Sequence, residues 1–498
     1  MGIIIKQSIK STTYSYLGVF VGIFNVFYLC SKFLSIEQLG LYISLTTIPI
    51  FLSGIAQLGI SNTMARFYHK FDSYKHNAGI LSICLVICTI GLAFLIGIFY
   101  VFSDFLLNIY KKNSSLINEN IYSIFLITII ITYGYVLEAY CRANLKTVFP
   151  AFVRELFSKI CNTFSILAFG LGYIQFDLFI KTLVFSNLIS LALLFIYIGF
   201  IRKLNFKINI KAYNKTLIKD LLLYNMGTFL SGFSGMLVVN IEKMFLPAYK
   251  NGLLSTALFD IGSKFGLIIS IPKNGIAMIS NPIIAKAWTT NNVEEINTIY
   301  KKSASNLLLV GIFIYVCLLL NIDDIFNIMP NSELYRKAKF VFIIVGLSRL
   351  IDMATGLNTE ILQNSKYYYY DFFFTIILAV SLVSLNLFLI PLYSFNGAAI
   401  ASFFSILILN SIKSIFIYYK FKLHFFSLEM IKVVSLGILC FVSTKLISVY
   451  VIHFHPLINI TIIGFLFSIQ YWIGIFHFNL SPDINKILLN LINRKIKS

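Results

Sequence analysis

Long apolar runs and short polar stretches alternate along the whole 498-residue chain. A helix needs about 20 residues to cross the hydrocarbon core of a bilayer. About 14 runs reach that length, near 14–34, 39–62, 78–103, 121–141, 149–173, 178–201, 221–246, 253–281, 304–321, 339–357, 367–391, 396–419, 430–452 and 456–476. Helices satisfy their own backbone hydrogen bonds, which lipid cannot do for them. The pattern therefore predicts an all-α polytopic membrane protein of about 14 transmembrane helices.

The seventh and eighth runs carry charges that a lipid-facing helix avoids. Glu242 and Lys243 lie near the end of 221–246, while Asp260 and Lys264 sit i,i+4 inside 253–281. Pro272, within Ile271-Pro272-Lys273-Asn274-Gly275, removes a backbone donor and predicts a break in the eighth span. A broken, charged span needs protein or water around it, so this stretch predicts a polar pathway through the membrane.

Composition supports the pattern. The chain is 58% hydrophobic and 12% charged, against about 25% charged in a soluble domain. The net charge of +20 resides largely in alternate loops: Lys6 and Lys10; Arg66, Lys70 and Lys75; Arg142 and Lys146; Arg202 to Lys219; Lys286, Lys301 and Lys302; Lys366; Lys420 and Lys422; Arg494 to Lys497. The positive-inside rule puts this set and both termini in the cytoplasm and removes any need for a nucleic-acid partner. The first run lacks a small-residue cleavage site and is expected to remain as a span. All seven cysteines fall in apolar runs and are expected as core thiols. His453 and His455 form an isolated HxH, which is read as structural and not as a metal site.

The basic linker Arg202 to Lys219 leaves six spans before it and eight after. Leu39-Gly40-Leu41-Tyr42 is echoed by Thr256-Ala257-Leu258-Phe259, and Ile60-Ser61-Asn62 by Ile279-Ser280-Asn281. Pro49 and Pro272 occupy matching spans. These echoes predict two pseudo-symmetric six-helix lobes, 1–215 and 216–425, plus two additional helices and a cytoplasmic tail at 426–498.

Phe33-Leu34-Ser35-Ile36-Glu37-Gln38-Leu39-Gly40-Leu41-Tyr42, followed by Gln57-Leu58-Gly59-Ile60 and Ala65-Arg66, resembles the opening of the polysaccharide transporters. These form the Wzx-like O-antigen branch of the multidrug/oligosaccharidyl-lipid/polysaccharide (MOP) flippase superfamily. Asn240-Ile241-Glu242-Lys243 is similar to that family's span-7 ending, and Phe395 to Ala401 to its span-12 opening with one glycine replaced. The resemblance implies a V-shaped bundle in the bacterial inner (cytoplasmic) membrane. Its implied cargo is an undecaprenyl-pyrophosphate-linked oligosaccharide, an O-antigen or capsule repeat unit, flipped by alternating access. It implies no cofactor; the partners it brings into view are membrane lipids, H+ or Na+ as coupling ion, and polysaccharide polymerase machinery. Drug exporters of the superfamily commonly carry a carboxylate in span 1, and Tyr14 to Leu34 has none. Its lipid II flippases tend to place arginines in spans 1, 2 and 8, where this chain offers Lys32, Lys264 and Lys273.

An anionic pyrophosphate crossing hydrocarbon needs buried cations to replace its water. Lys264 stands ten or so residues into its span, about 15 Å deep, and Arg349 at a similar depth in its own. Lys159, Lys273 and Lys445 also lie within spans. Lys264, Arg349, Lys159 and Lys273 are the candidate substrate-binding set. Glu242, Lys243, Asp260 and Asp352 are candidates for a gate or for ion coupling. The alternative is internal pairing, of Lys264 with Asp260, of Arg349 with Asp352, and of Glu138 with Arg142. Tyr367 to Tyr370 reads as an interfacial aromatic belt. The sequence carries no GxxxxGK[ST] loop. A membrane polymerase or ligase would need a long outside loop with a catalytic set, which 104–120 and 321–339 do not supply. The expected activity is thus transport, not enzymatic catalysis.

Overall fold

The computed structural model describes residues 2–61, 79–104, 113–144, 146–201, 240–451 and 455–480, with a few isolated positions between them. All regular structure among these residues is helical. Among the described residues ten helices are long and apolar enough to cross a membrane. The chain divides into two compact units, Met1–Ala257 and Leu258–Ser498. The lobe boundary expected at 215/216, the basic linker and most of the run 221–246 lie outside the described residues.

In the first unit, α1 (Gly2–Phe24) passes through a π-helical segment, Asn25–Cys30, before ending at Phe33. α2 (Ile36–Ala56) starts on a capping box: the Ser35 hydroxyl accepts from the Gln38 N–H at 3.2 Å, and the Gln38 side chain accepts from the Ser35 N–H at 2.9 Å. α3 (Ile80–Val101), α4 (Ile121–Ala143) and α6 (Phe176–Ile201) follow. Between the last two, α5 begins at Val148–Ala151, runs through a second π segment at Phe152–Phe157, and finishes as Ser158–Gly170. Cys84, Cys88 and Cys141 are buried with Ile60, Met64 and Leu137 in one core cluster. Gly91 lets α3 touch α2, because a Cβ there would stand 2.1 Å from the Ala56 carbonyl oxygen. The seven cysteines are free thiols, buried or half-buried.

α7 (Gly252–Thr289) contains the unit boundary and carries the chain into the second unit. It is one continuous helix, with Pro272 and Pro282 inside it. The break expected at Pro272 is not there: proline removes one backbone bond and crowds the preceding turn, and the flanking turns still carry the helix through. α8 (Val293–Ile328) also outruns its apolar core at both ends. Asn292 caps it, accepting from the Glu295 N–H at 3.1 Å. At the other end Asp323 accepts from Lys339 Nζ at 2.7 and 2.8 Å, so the expected loop 321–339 shrinks to a tight connection. α9 (Lys339–Ala354), α10 (Asn358–Gln363), α11 (Tyr369–Phe421), α12 (Leu428–Val451) and α13 (Pro456–His477) complete the unit.

α11 is two helices meeting at Ser394, whose φ of 54° and ψ of −133° are not helical. Its arms fold back on each other, since Tyr370 and Phe416 place their ring centroids 4.6 Å apart. The reversal falls between the runs predicted at 367–391 and 396–419. Gly397 permits it, because a Cβ there would lie 2.1 Å from the Leu389 carbonyl oxygen. α12 and α13 pack on α8. Phe313 of α8 meets Phe467, Tyr471 and Trp472, and the Tyr471 hydroxyl donates to the Leu309 carbonyl at 2.9 Å.

Candidate functional site

The second unit gathers its intramembrane charges where α7, α9, α10 and α11 meet. α9 ends at Ala354, and Gly356, at φ +60°, turns the chain into α10. A side chain there would be strained by that φ and would also meet Ala304 N and Ser303 Oγ at 3.0 Å. The turn sets Thr355, Asn358 and Thr359 beside the second arm of α11.

Lys273 of α7 donates to Asp352 Oδ1 of α9 at 2.9 Å and to the Asp352 carbonyl at 2.9 Å. Asn410 of α11 donates to the same Oδ1 at 3.2 Å, and its own side-chain oxygen accepts from Thr355 at 2.9 Å and Asn358 at 2.8 Å. Further along, Lys413 pairs with Asp371 at 2.6 Å and donates to Thr359 Oγ1 at 3.0 Å, while Gln363 holds the other Asp371 oxygen at 2.8 Å. The result is a polar seam through an otherwise apolar unit.

Arg349 stands one turn before Asp352 on α9 and attracts the same carboxylate. The pairing of these two foreseen at i,i+3 is not made among the described residues, because Lys273 occupies Asp352 instead. Arg349 Nε is buried with no hydrogen-bond partner among the described residues. A guanidinium donor left unmatched in a low-dielectric setting favours a bidentate anion. The Arg349, Lys273 and Asp352 group thus carries two cations to one carboxylate, whereas Lys413 and Asp371 balance.

Lys264 and Lys159 also have carboxylate partners. Lys264 pairs with Asp260 at 2.5 Å, and the Asp260 side chain is 2% exposed. In the first unit Lys159 pairs with Glu155 at 3.4 Å. Glu138 lies 3.9 Å from Arg142, but both its oxygens bind Arg154 Nη1 at 2.7 and 2.8 Å, and Arg154 also reaches Glu155 at 2.8 Å. The second π segment contains both Arg154 and Glu155. Asn25, in the first π segment, donates to the Lys159 carbonyl at 3.0 Å and accepts from Thr163 at 2.8 Å. Glu242 and Lys243 are both buried at the end of a helix that closes in the turn Leu246–Ala248. Asn113 and Ser114 fasten that turn by donating to the carbonyls of Ala248 and Pro247 at 2.7 and 2.6 Å.

Sequence reasoning passed over Arg154, Glu155, Asp371, Asn410 and Lys413. Asn410 and Lys413 had a visible signal: they are i,i+3 inside the run 396–419. At the end of α11, Lys366 and Lys420 lie over the Tyr367 ring at 5.2 and 5.5 Å, so the tyrosine run is a packed aromatic and cationic cluster. His455 accepts from the Leu457 N–H at 3.4 Å at the start of α13, and His453 lies outside the described residues. No group of His, Cys, Asp and Glu suited to a metal ion occurs among the described residues.

Residues 228–392 match the MatE family model. That stretch contains Lys264, Lys273, Arg349, Asp352 and Asp371 but ends before Asn410 and Lys413. No curated protein matches the chain. Among solved structures, the lipid II flippase MurJ in an inward closed conformation aligns over 95% of this chain and 98% of its own, at 17% identity and a TM-score of 0.74. An inward-facing multidrug resistance MATE family transporter of the MOP superfamily aligns over 82% and 98%, at 13% identity and a TM-score of 0.59. A MOP superfamily transporter from Pyrococcus furiosus, described as having a binding pocket of reverse polarity, aligns over 84% and 95%, at 12% identity and 0.52. At such identities the likeness establishes the fold. The chain thus has the multi-pass helical fold of these membrane proteins, and its residues 228–392 are similar to the MatE family.

Proposed function

We propose that the chain is a flippase of the bacterial inner membrane. Its cargo is an undecaprenyl-pyrophosphate-linked oligosaccharide, an O-antigen or capsule repeat unit, carried from the cytoplasmic to the periplasmic leaflet. The observation that carries this reading is the buried, unmatched Nε of Arg349 beside the Lys273 and Asp352 pair. A pyrophosphate offers the paired anionic oxygens that such a donor lacks. The surplus cation separates this group from Lys264, which Asp260 already neutralises. The fourteen-span count belongs to the same proposal. It is supported by the helical segments 148–170 and 339–354, and by the reversal at Ser394, which lets Tyr369–Phe421 cross twice.

Complementation of a strain lacking its O-antigen flippase tests the reading. The wild-type chain restores surface polysaccharide, and Arg349→Ala at matched expression does not. Restoration by both would remove Arg349 from the site. Growth of a strain depleted of its lipid II flippase, with no surface polysaccharide restored, would assign the cargo to lipid II instead.

A further inference from the structure

We infer that Asp352 is a resident counter-ion which the cargo displaces from Lys273, and that binding of the cargo therefore takes up one proton on Asp352. This rests on the flippase reading above and adds the coupling step to it.

The geometry that leads there is specific. Lys273 Nζ and Asn410 Nδ2 both bond to Asp352 Oδ1, and among the described residues no bond reaches Oδ2. The charged side chains acting on Asp352 are Lys273, from α7, and Arg349, from its own helix. From α11 it receives only the neutral amide of Asn410. α8 meets this part of α9 through Gly311, against Leu350 and Met353. Nothing else among the described residues can replace Lys273 as a counter-charge.

An incoming anion can reach this pair from the carboxylate side. Among the described residues the Lys273 ammonium holds only a carboxylate and a carbonyl, and the Lys273 and Asp352 side chains are 11% and 28% exposed. A diphosphate that engages Arg349 competes for Lys273 with more negative charge than one carboxylate can offer. When both cations turn to the diphosphate, Asp352 is left without a counter-charge beside a new negative charge, and a nearby like charge favours its neutral form. The proton comes from water and ends on Oδ2, while Asn410 continues to donate to Oδ1. Release of the cargo reverses the exchange: Lys273 returns, and the proton leaves. The site then cycles between a lysine–carboxylate pair and a lysine–diphosphate pair, so a proton travels with the cargo's charge at each turn.

The test is binding of undecaprenyl pyrophosphate to the purified full chain in detergent, from about pH 5.5 to about pH 8.5, above the range in which a free carboxylate titrates. Proton uptake makes affinity rise as pH falls, by up to about tenfold per pH unit for one linked proton. The probe's own titration is common to all variants, so the reading is the difference in slope. Asp352→Asn is expected to lose one proton's worth of slope and to bind more tightly than wild type at the alkaline end. Asp352→Glu, which keeps a titrating group, is expected to retain the slope. Size-exclusion profiles confirm that each variant is folded. Equal slopes for wild type and Asp352→Asn, with binding still dependent on Arg349, would overturn the proton exchange and leave the flippase reading standing. Absence of binding by wild type, or binding unaffected by Arg349→Ala, would overturn both.

Discussion

Lys413→Met probes how the α11 hairpin is held. Lys413 and Asp371 lie on opposite arms, 2.6 Å apart, with side chains 5% and 13% exposed. At an effective dielectric constant near 20, two charges 4 Å apart attract by about 4 kcal/mol, and desolvation of both offsets most of that. The intact pair therefore adds little net stability, but removing one partner strands the other. Breaking a buried pair in this way costs about 3–5 kcal/mol. Asp371 would keep only its bond from Gln363, at 2.8 Å. Lys413→Met and Asp371→Asn should each destabilise by about 3–5 kcal/mol, and the double variant by far less than their sum, a coupling outside the roughly 0.5 kcal/mol range of independent sites. SDS titration of the purified chain in mixed micelles, followed by loss of helical signal, measures all four corners of the cycle. A Lys413→Met protein as stable as wild type, or a double variant showing the simple sum, would refute the claim that this pair ties the arms together.

Other consequences follow from packing and from charge balance. In α3, Gly91→Ala places a methyl group 2.1 Å from the Ala56 carbonyl oxygen and should lower folded yield, whereas Gly97 has nothing within 4 Å. Gly97→Ala should match or exceed wild type by about 0.5–1 kcal/mol from helix propensity, and paired thermal-shift curves compare the two. Lys264→Ala removes one ion pair from the buried Asp260 and should reduce expression; adding Asp260→Ala should restore the protein on a size-exclusion column, which a direct cargo contact by Lys264 would not allow together with full transport. Arg349→Lys should recover little of the activity lost in Arg349→Ala in the complementation assay, because an ammonium lacks the fork that a diphosphate engages. Glu138→Gln weakens the two bonds to Arg154 and should lower the thermal stability of the first unit by about 1–3 kcal/mol.

Spans and local pairs were legible in the chain, while partners brought together by folding were not. Hydropathy located most of the helices because the bilayer imposes a length on each. It misjudged 304–321 and 321–339, since a helix that leaves the hydrocarbon can continue in water on its own caps and ion pairs, as α8 does through Asn292 and Asp323. Pro272 misled for a related reason, because losing one bond does not end a long buried helix. Asp260 with Lys264 was readable from spacing alone. Lys273 with Asp352, Arg154 with Glu138 and Lys413 with Asp371 are 79, 16 and 42 positions apart, and no periodicity relates them.

That difference decides what a buried charge means. Depth in a span says only that a lysine costs free energy there, about 2.5–3.5 kcal/mol on insertion scales. It does not say whether a carboxylate from another helix already compensates that cost. By depth alone Lys264 and Arg349 were equivalent candidates, and Lys413, nearer the end of its run, was overlooked. Once the partners are assigned, Lys264 and Lys413 are each paired with a carboxylate, while Arg349 and Lys273 share Asp352 between them. Positive charge in excess of its partners, not positive charge as such, is what an incoming anion can use; within the second unit it points to the Arg349 turn of α9, while in the first unit Arg142, Arg154 and Lys159 likewise share Glu138 and Glu155.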